Sequence, residues 1–121
     1  MDSKEALLAL STFPDEETAR NIVRELVEAR LVACGNILPH VESIYRWQGK
    51  VEVSREALVL FKLSSSSYRL FEEKLRQLHP YDVPEILSVD ITHGSPDYLR
   101  WIVESCASSA SAAASFDQPE K

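Results

Sequence analysis

Between residues 79 and 85 the chain reads His79-Pro80-Tyr81-Asp82-Val83-Pro84-Glu85. An imidazole, a phenol and two carboxylates are gathered there between prolines whose backbone φ is fixed. Imidazole and carboxylate are ligands for borderline divalent metals such as zinc or copper, and a thiolate would strengthen the set. His79 and Glu85 are therefore candidate metal ligands, with Cys34 the candidate thiol. A plain structural reading fits the same residues. In it His79 occupies the last turn of a helix, where a cation complements the dipole, Tyr81 packs, and Asp82 and Glu85 are solvated. Cys34 lies in an apolar run, where free cysteine behaves as a small hydrophobe. No H-x-x-x-H or C-x-x-C spacing points to a preformed cage.

Other chemistries find less support. A hydrolase needs a nucleophile with a base and an orienting group, and there is no G-x-S-x-G elbow. Three glycines in the whole chain exclude both the P-loop and the dinucleotide fingerprint. The reading is a protein that is not an enzyme. Tyr45 and Trp47 form either an interface or a ligand-stacking platform. Thirteen Lys plus Arg against 19 Asp plus Glu give a net charge of −6, which argues against nucleic acid as a partner, since that affinity comes from neutralised phosphates. Nothing approaches the roughly 18 apolar residues of a membrane span. The N-terminus lacks the basic start of a secretory signal, and Cys34 and Cys106 are too far apart for a stapled scaffold. The expected setting is the cytoplasm, with two free thiols, that of Cys106 exposed.

The elements that must position these residues follow from hydrophobic period. Ala6 to Leu10 is a continuous apolar run, the pattern of a central strand. Pro14 followed by acids predicts a helix start, and Ala19, Ile22, Val23, Leu26 and Val27 mark its buried stripe. Leu31 to Trp47 is β-like, with a bulge or bend expected at Gly35 or Pro39-His40. Gln48-Gly49 is a two-residue turn into a second strand reaching Leu63. Ser64 to Ser67 offer caps for a second helix, which Pro80 ends. Glu85 to Ile91 is a fourth strand. Ser95-Pro96-Asp97 opens a third helix, with Trp101 expected in the core. The order is β-α-β-β-α-β plus a terminal helix. That is an α+β, ferredoxin-like sandwich of an antiparallel sheet with two helices on one face, over residues 1–106. Residues 107–121, rich in Ala and Ser, read as a disordered tail.

The hairpin is longer than the helices require. It carries Ile44, Tyr45 and Trp47 past the domain's own core, and such edges and aromatics need a partner to cover them. Identical subunits joined through this arm are the expected solution.

Ala33-Cys34-x-Asn36-Ile37, Ser43-Ile44-Tyr45-Arg46-Trp47-Gln48-Gly49-Lys50, His79 to Glu85, and Tyr98-Leu99-x-Trp101 together resemble the CutA family of divalent-cation-tolerance proteins, over residues 5 to 104. The resemblance implies a homotrimer with architecture similar to PII signalling proteins, a cytoplasmic role in divalent metal tolerance with copper the ion usually named, and no catalytic activity. Where members bind copper, the ligands are a cysteine ending the first strand and two histidines before the H-P-Y proline. Those positions here are Ser11, Leu78 and His79, so only His79 is kept. A serine hydroxyl is a poor ligand for soft copper, and leucine is none.

Two functions remain open at this stage. One is a trimer that binds divalent cations weakly, as copper or zinc, at acidic sites between subunits. The other is a PII-like trimer whose inter-subunit cleft, with Tyr45, Trp47, Tyr81 and Lys50, takes a small anionic metabolite or a protein partner. Lys50, Lys62, Arg46 and Arg69 are its available cations.

Overall fold

The computed structural model describes residues 5–107. Strand β1 (Ala6–Phe13) leads to α1 (Glu16–Glu28), then β2 (Cys34–Trp47) and β3 (Lys50–Ser64). A 3-10 turn at Ser65–Ser67 opens α2 (Tyr68–Leu78), followed by β4 (Leu87–Asp90) and α3 (Pro96–Ser105). The four strands form one antiparallel sheet in the order β2-β3-β1-β4. This is the ferredoxin-like α+β fold expected from the pattern. The designated tail begins at Ala107, which is itself buried and donates its N–H to the Arg30 carbonyl. The rest of that segment lies outside the described residues.

Helix α1 starts two residues later than the proline suggested. Asp15 is the N-cap, its carboxylate accepting the Thr18 N–H at 2.7 Å, and Pro14 precedes the cap. Ala19, Ile22, Val23 and Leu26 form the buried stripe, while Val27 turns outward. The helix ends in a paired cap: Leu31 N–H reaches Leu26 O at 3.1 Å and Arg30 N–H reaches Val27 O at 2.9 Å. Arg30 sits at φ 63°, where glycine is usual. Its guanidinium donates to the Ser105 and Glu104 carbonyls, capping α3 as well. This double cap occupies the stretch after α1, so β2 begins at Cys34 rather than Leu31.

One face of the sheet carries Leu7, Ala9, Phe13, Ala57, Val59, Phe61 and Leu63, packed against α1 and α2 as the main core. Gly35 is needed there, since a Cβ would lie 2.8 Å from Val23 Cγ1. The opposite face is different. Leu8, Leu10, Leu58 and Leu60 are half-buried there, and Leu38, Leu87 and Val89 are exposed. Helix α3 covers only one end of that face, seating Leu99 and Ile102 on Ala6, Ala33 and Ile91. Trp101, expected in the core, is exposed and stacks on Tyr98, because α3 spends its one inward face on Leu99 and Ile102. Cys106, expected exposed, is buried. It accepts the Ser64 N–H, and burial pushes its thiol above the ordinary pKa.

The hairpin turns through Gln48 (φ 52°) and Gly49 (φ 81°), both left-handed, the two-residue geometry that matches strand twist. Leu38 pairs Leu58, but Val41 pairs Glu56, so β2 carries one extra residue at Pro39-His40. The bulge changes the parity of β2. Beyond it Ser43, Tyr45 and Trp47 lie on the same side of the ribbon as Ser54 and Glu56.

Candidate functional site

Strand β4 pairs only with Leu7 to Leu10, leaving the edge of β1 from Ser11 to Phe13 uncovered by a strand. The segment from His79 to Glu85 closes it. Pro80 forces His79 out of helical geometry into an extended conformation (ψ 136°) at the C-cap of α2. Its ring then turns inward, stacks on Phe13 at 4.7 Å, and is buried. Nδ1 accepts the Tyr81 N–H at 3.2 Å, so Nε2 carries the proton and donates to the Thr12 carbonyl at 2.8 Å. Burial holds His79 below its ordinary pKa, against the opposing pull of the Thr12 carbonyl and Glu56. The imidazole is thus neutral and latches β1 to the segment, which corrects the view of it as a helix-end cation.

The latch fixes Tyr81. Its hydroxyl donates a 2.6 Å hydrogen bond to Glu56 Oε2. Burial, then this bond and the Glu56 charge, push the phenol well above its ordinary pKa. Glu56 is only 8% exposed. Among the described residues no cationic side chain pairs with it, and no hydrogen bond reaches its Oε1. Ser11 Oγ is the one buried, unpartnered side-chain polar atom among the described residues, so Glu56 Oε1 reaches the open space of the cleft.

Around this pair opens a cleft of about 680 Å³, lined by Thr12, Ser43, Ile44, Tyr45, Trp47, Ser54, Glu56, Tyr81, Asp82, Val83 and Glu85. Tyr45 is fixed by a 2.7 Å hydrogen bond to Ser54 Oγ. The lining carries three carboxylates, three aromatic rings and no lysine, arginine or histidine.

The structure therefore gathers Tyr45, Trp47, Tyr81 and Glu85 in one cleft, and leaves three other candidates outside it. His79 stands behind the lining with both ring nitrogens engaged. Cys34 pairs with Lys62, six residues along β3 from Glu56, roughly 20 Å at strand rise. Lys50, at the hairpin turn, is not part of the lining. Ser11 faces the helix side, fully buried, its Oγ without a partner among the described residues. Leu78 packs on the core. Sequence reasoning missed Glu56. Its position three residues beyond Val53 in a predicted strand gave no chemical signal, though an acid beginning a run as apolar as Ala57 to Leu63 could have raised the question.

The CutA1 divalent ion tolerance protein family model matches residues 7–105. The chain belongs to the CutA family. It is 46% identical over 97 residues to the divalent-cation tolerance protein CutA of Thermus thermophilus, covering 80% of this chain and 94% of that protein. It is 43% identical over 94 residues to the Protein CutA homolog of Xenopus laevis, covering 78% of this chain but 62% of that longer protein. The solved Thermus thermophilus divalent cation tolerance protein superposes with a TM-score of 0.82 at 44% identity, covering 84% of this chain and 99% of that one. None of these names states a catalytic activity. Among the described residues, no helix is long and apolar enough to cross a membrane, and no three His, Cys, Asp or Glu side chains converge as a metal cage.

Proposed function

We propose that this family member is a cytoplasmic homotrimer acting in divalent-cation tolerance, a binding protein rather than an enzyme. In this reading it holds cations weakly in the cleft around Glu56. The observation that carries the cation site is the Glu56 carboxylate, nine-tenths buried, facing a cleft with two further carboxylates and no positive side chain. Field lines from such a wall raise the local concentration of cations. The donors are all oxygen, which suits hard or borderline divalent ions held through water more than soft copper. His79 serves by positioning Tyr81, and Cys34 takes no part in this cleft.

The trimer reading rests on the open sheet face. Leu38, Leu87 and Val89 are exposed there beside four half-buried leucines, α3 covers only one end of the face, and the arm extends Tyr45 and Trp47 beyond it. Copies of the chain packed face to face would bury both. An anionic metabolite, as in a PII-like sensor, would instead meet three carboxylates, with Lys50, Lys62, Arg46 and Arg69 all outside the lining.

Isothermal titration of Zn(II) and Mn(II) into wild type and Glu56→Gln tests the cation site. Weak saturable heat in wild type, reduced about tenfold in apparent affinity in the variant, is expected for loss of a facing charge. Equal isotherms would remove Glu56 from the account.

A further inference from the structure

Two charges of opposite sign stand on the open sheet face with no ion-pair partner. Glu56, Leu58, Leu60 and Lys62 alternate along β3 with Ala57, Val59 and Phe61, so they share the face turned away from α1 and α2. Glu56 lies at the cleft end, buried, with Tyr81 as its hydrogen-bond donor. Lys62 lies at the other end beside α3, half-buried, between Leu8 on β1 and Cys34 on β2. Its ammonium donates to the Tyr98 hydroxyl at 3.3 Å and sits 5.6 Å from the centre of that ring. Among the described residues, neither Glu56 nor Lys62 enters an ion pair. Six residues of strand, roughly 20 Å, separate them. Within one chain they do not meet.

We propose that Lys62 of one copy pairs with Glu56 of the partner subunit, so that each cleft is closed by a neighbour's ammonium. The inference rests on the homotrimer reading and adds to it the register in which copies meet. Covering the open face takes both groups out of water, where a lone ammonium or carboxylate is strongly disfavoured. One contact answers both. Because it joins two different patches it repeats head to tail, and three such pairs close a ring. The Tyr98 contacts already restrain the lysine, which lowers the entropy lost on pairing. Other cations without an ion pair fit less well. Arg46 and Arg55 alternate with the cleft-side residues and stand on the opposite side of the arm. Lys50 shares the side of Glu56 but lies at the exposed turn, where water solvates it, and Arg69 belongs to α2, behind the sheet. In this arrangement a divalent cation drawn to the cleft competes with an ammonium already there, in keeping with weak binding.

The test follows assembly of the full-length protein on dilution, by sedimentation, for wild type, Lys62→Met, Glu56→Gln and the double variant, with circular dichroism reporting the fold of each. Each single change strands the other charge and is expected to weaken every interface about tenfold. The double variant strands neither and is expected to assemble at least as well as the single variants, whereas independent losses would multiply to about a hundredfold. Lys62→Arg keeps the charge and should assemble within about threefold of wild type. Carbodiimide coupling of wild type needs no folded variant: it joins touching carboxylates and ammoniums, and peptides linking Lys62 to Glu56 of another chain are expected. The pair is overturned if the losses multiply, if Lys62→Met assembles like wild type, or if coupling joins Lys62 to another carboxylate or to none. In each of those cases a wild type of three chains keeps the trimer reading. A wild type that sediments as one chain removes that reading and the pair together.

Discussion

The Tyr81 hydroxyl and the Glu56 carboxylate meet at 2.6 Å although 25 residues separate them in the chain. One comes from a proline-bounded loop and the other from the middle of the long hairpin. Their contact ties the segment that closes β1 to the arm that extends beyond the core. Tyr81→Phe removes the donor and leaves a buried carboxylate unsatisfied. It is expected to lower stability by about 1.5–3 kcal/mol, the range for a hydrogen bond to a charged group. Urea unfolding of both proteins measures it, and a change within error would mean the pair contributes nothing.

His79 sets a pH dependence. Its folded pKa lies below the ordinary 6.5 because burial disfavours the imidazolium. Below about pH 6.5 the unfolded chain therefore binds a proton that the folded chain refuses, and stability falls as pH drops toward the folded value. Above that window the stabilisation is complete. His79→Gln should lose about 1–3 kcal/mol at pH 7.5 through its buried hydrogen bonds, and should show a shallower loss between pH 7.5 and 5.5 than wild type. His40 and His93 are common to both proteins, so the difference reports His79. Parallel pH profiles would contradict the latch.

Ser11 lies near the end of β1 on the core face, and its hydroxyl is fully buried with no partner among the described residues. An unmet buried hydroxyl disfavours folding, so Ser11→Ala should stabilise by about 1 kcal/mol. That corresponds to roughly 4–8 °C in melting temperature for a domain near this size. Scanning calorimetry decides it, and a lowered melting temperature would show that the hydroxyl makes a favourable contact.

Leu87 is half exposed on β4, within the open sheet face. Leu87→Lys should leave the fold intact, by circular dichroism, while placing a charge where copies must pack. Dissociation at concentrations where wild type remains assembled is expected. Unchanged assembly would move the interface elsewhere.

Much of this was legible from residue pattern, and the departures share a cause. Period and turn chemistry located α1, the Gln48-Gly49 turn, the bulge and the stop at Pro80, because each is decided by residues close in sequence. Trp101 and Cys106 were misplaced because their burial depends on what α3 packs against. The start of β2 was misjudged because Arg30 takes a left-handed cap that its residue type disfavours. Tyr45, Trp47, Tyr81 and Glu85 stood out by residue type, and their grouping in a cleft between subunits followed from the family resemblance; all four line the cleft of the single chain. Glu56 did not stand out, since its importance arises only when the loop from α2 lowers Tyr81 onto it. His79 was singled out, as a ligand or a helix-end cation, but its inward turn depends on the uncovered edge of β1, which no local pattern reveals.

The open face and the hairpin arm must be covered by copies of the same chain. Sedimentation equilibrium at micromolar concentration measures this most directly. A mass of three times the 13.7 kDa chain is expected. A mass of one chain, with Leu87, Val89 and Trp47 left in water, would contradict it.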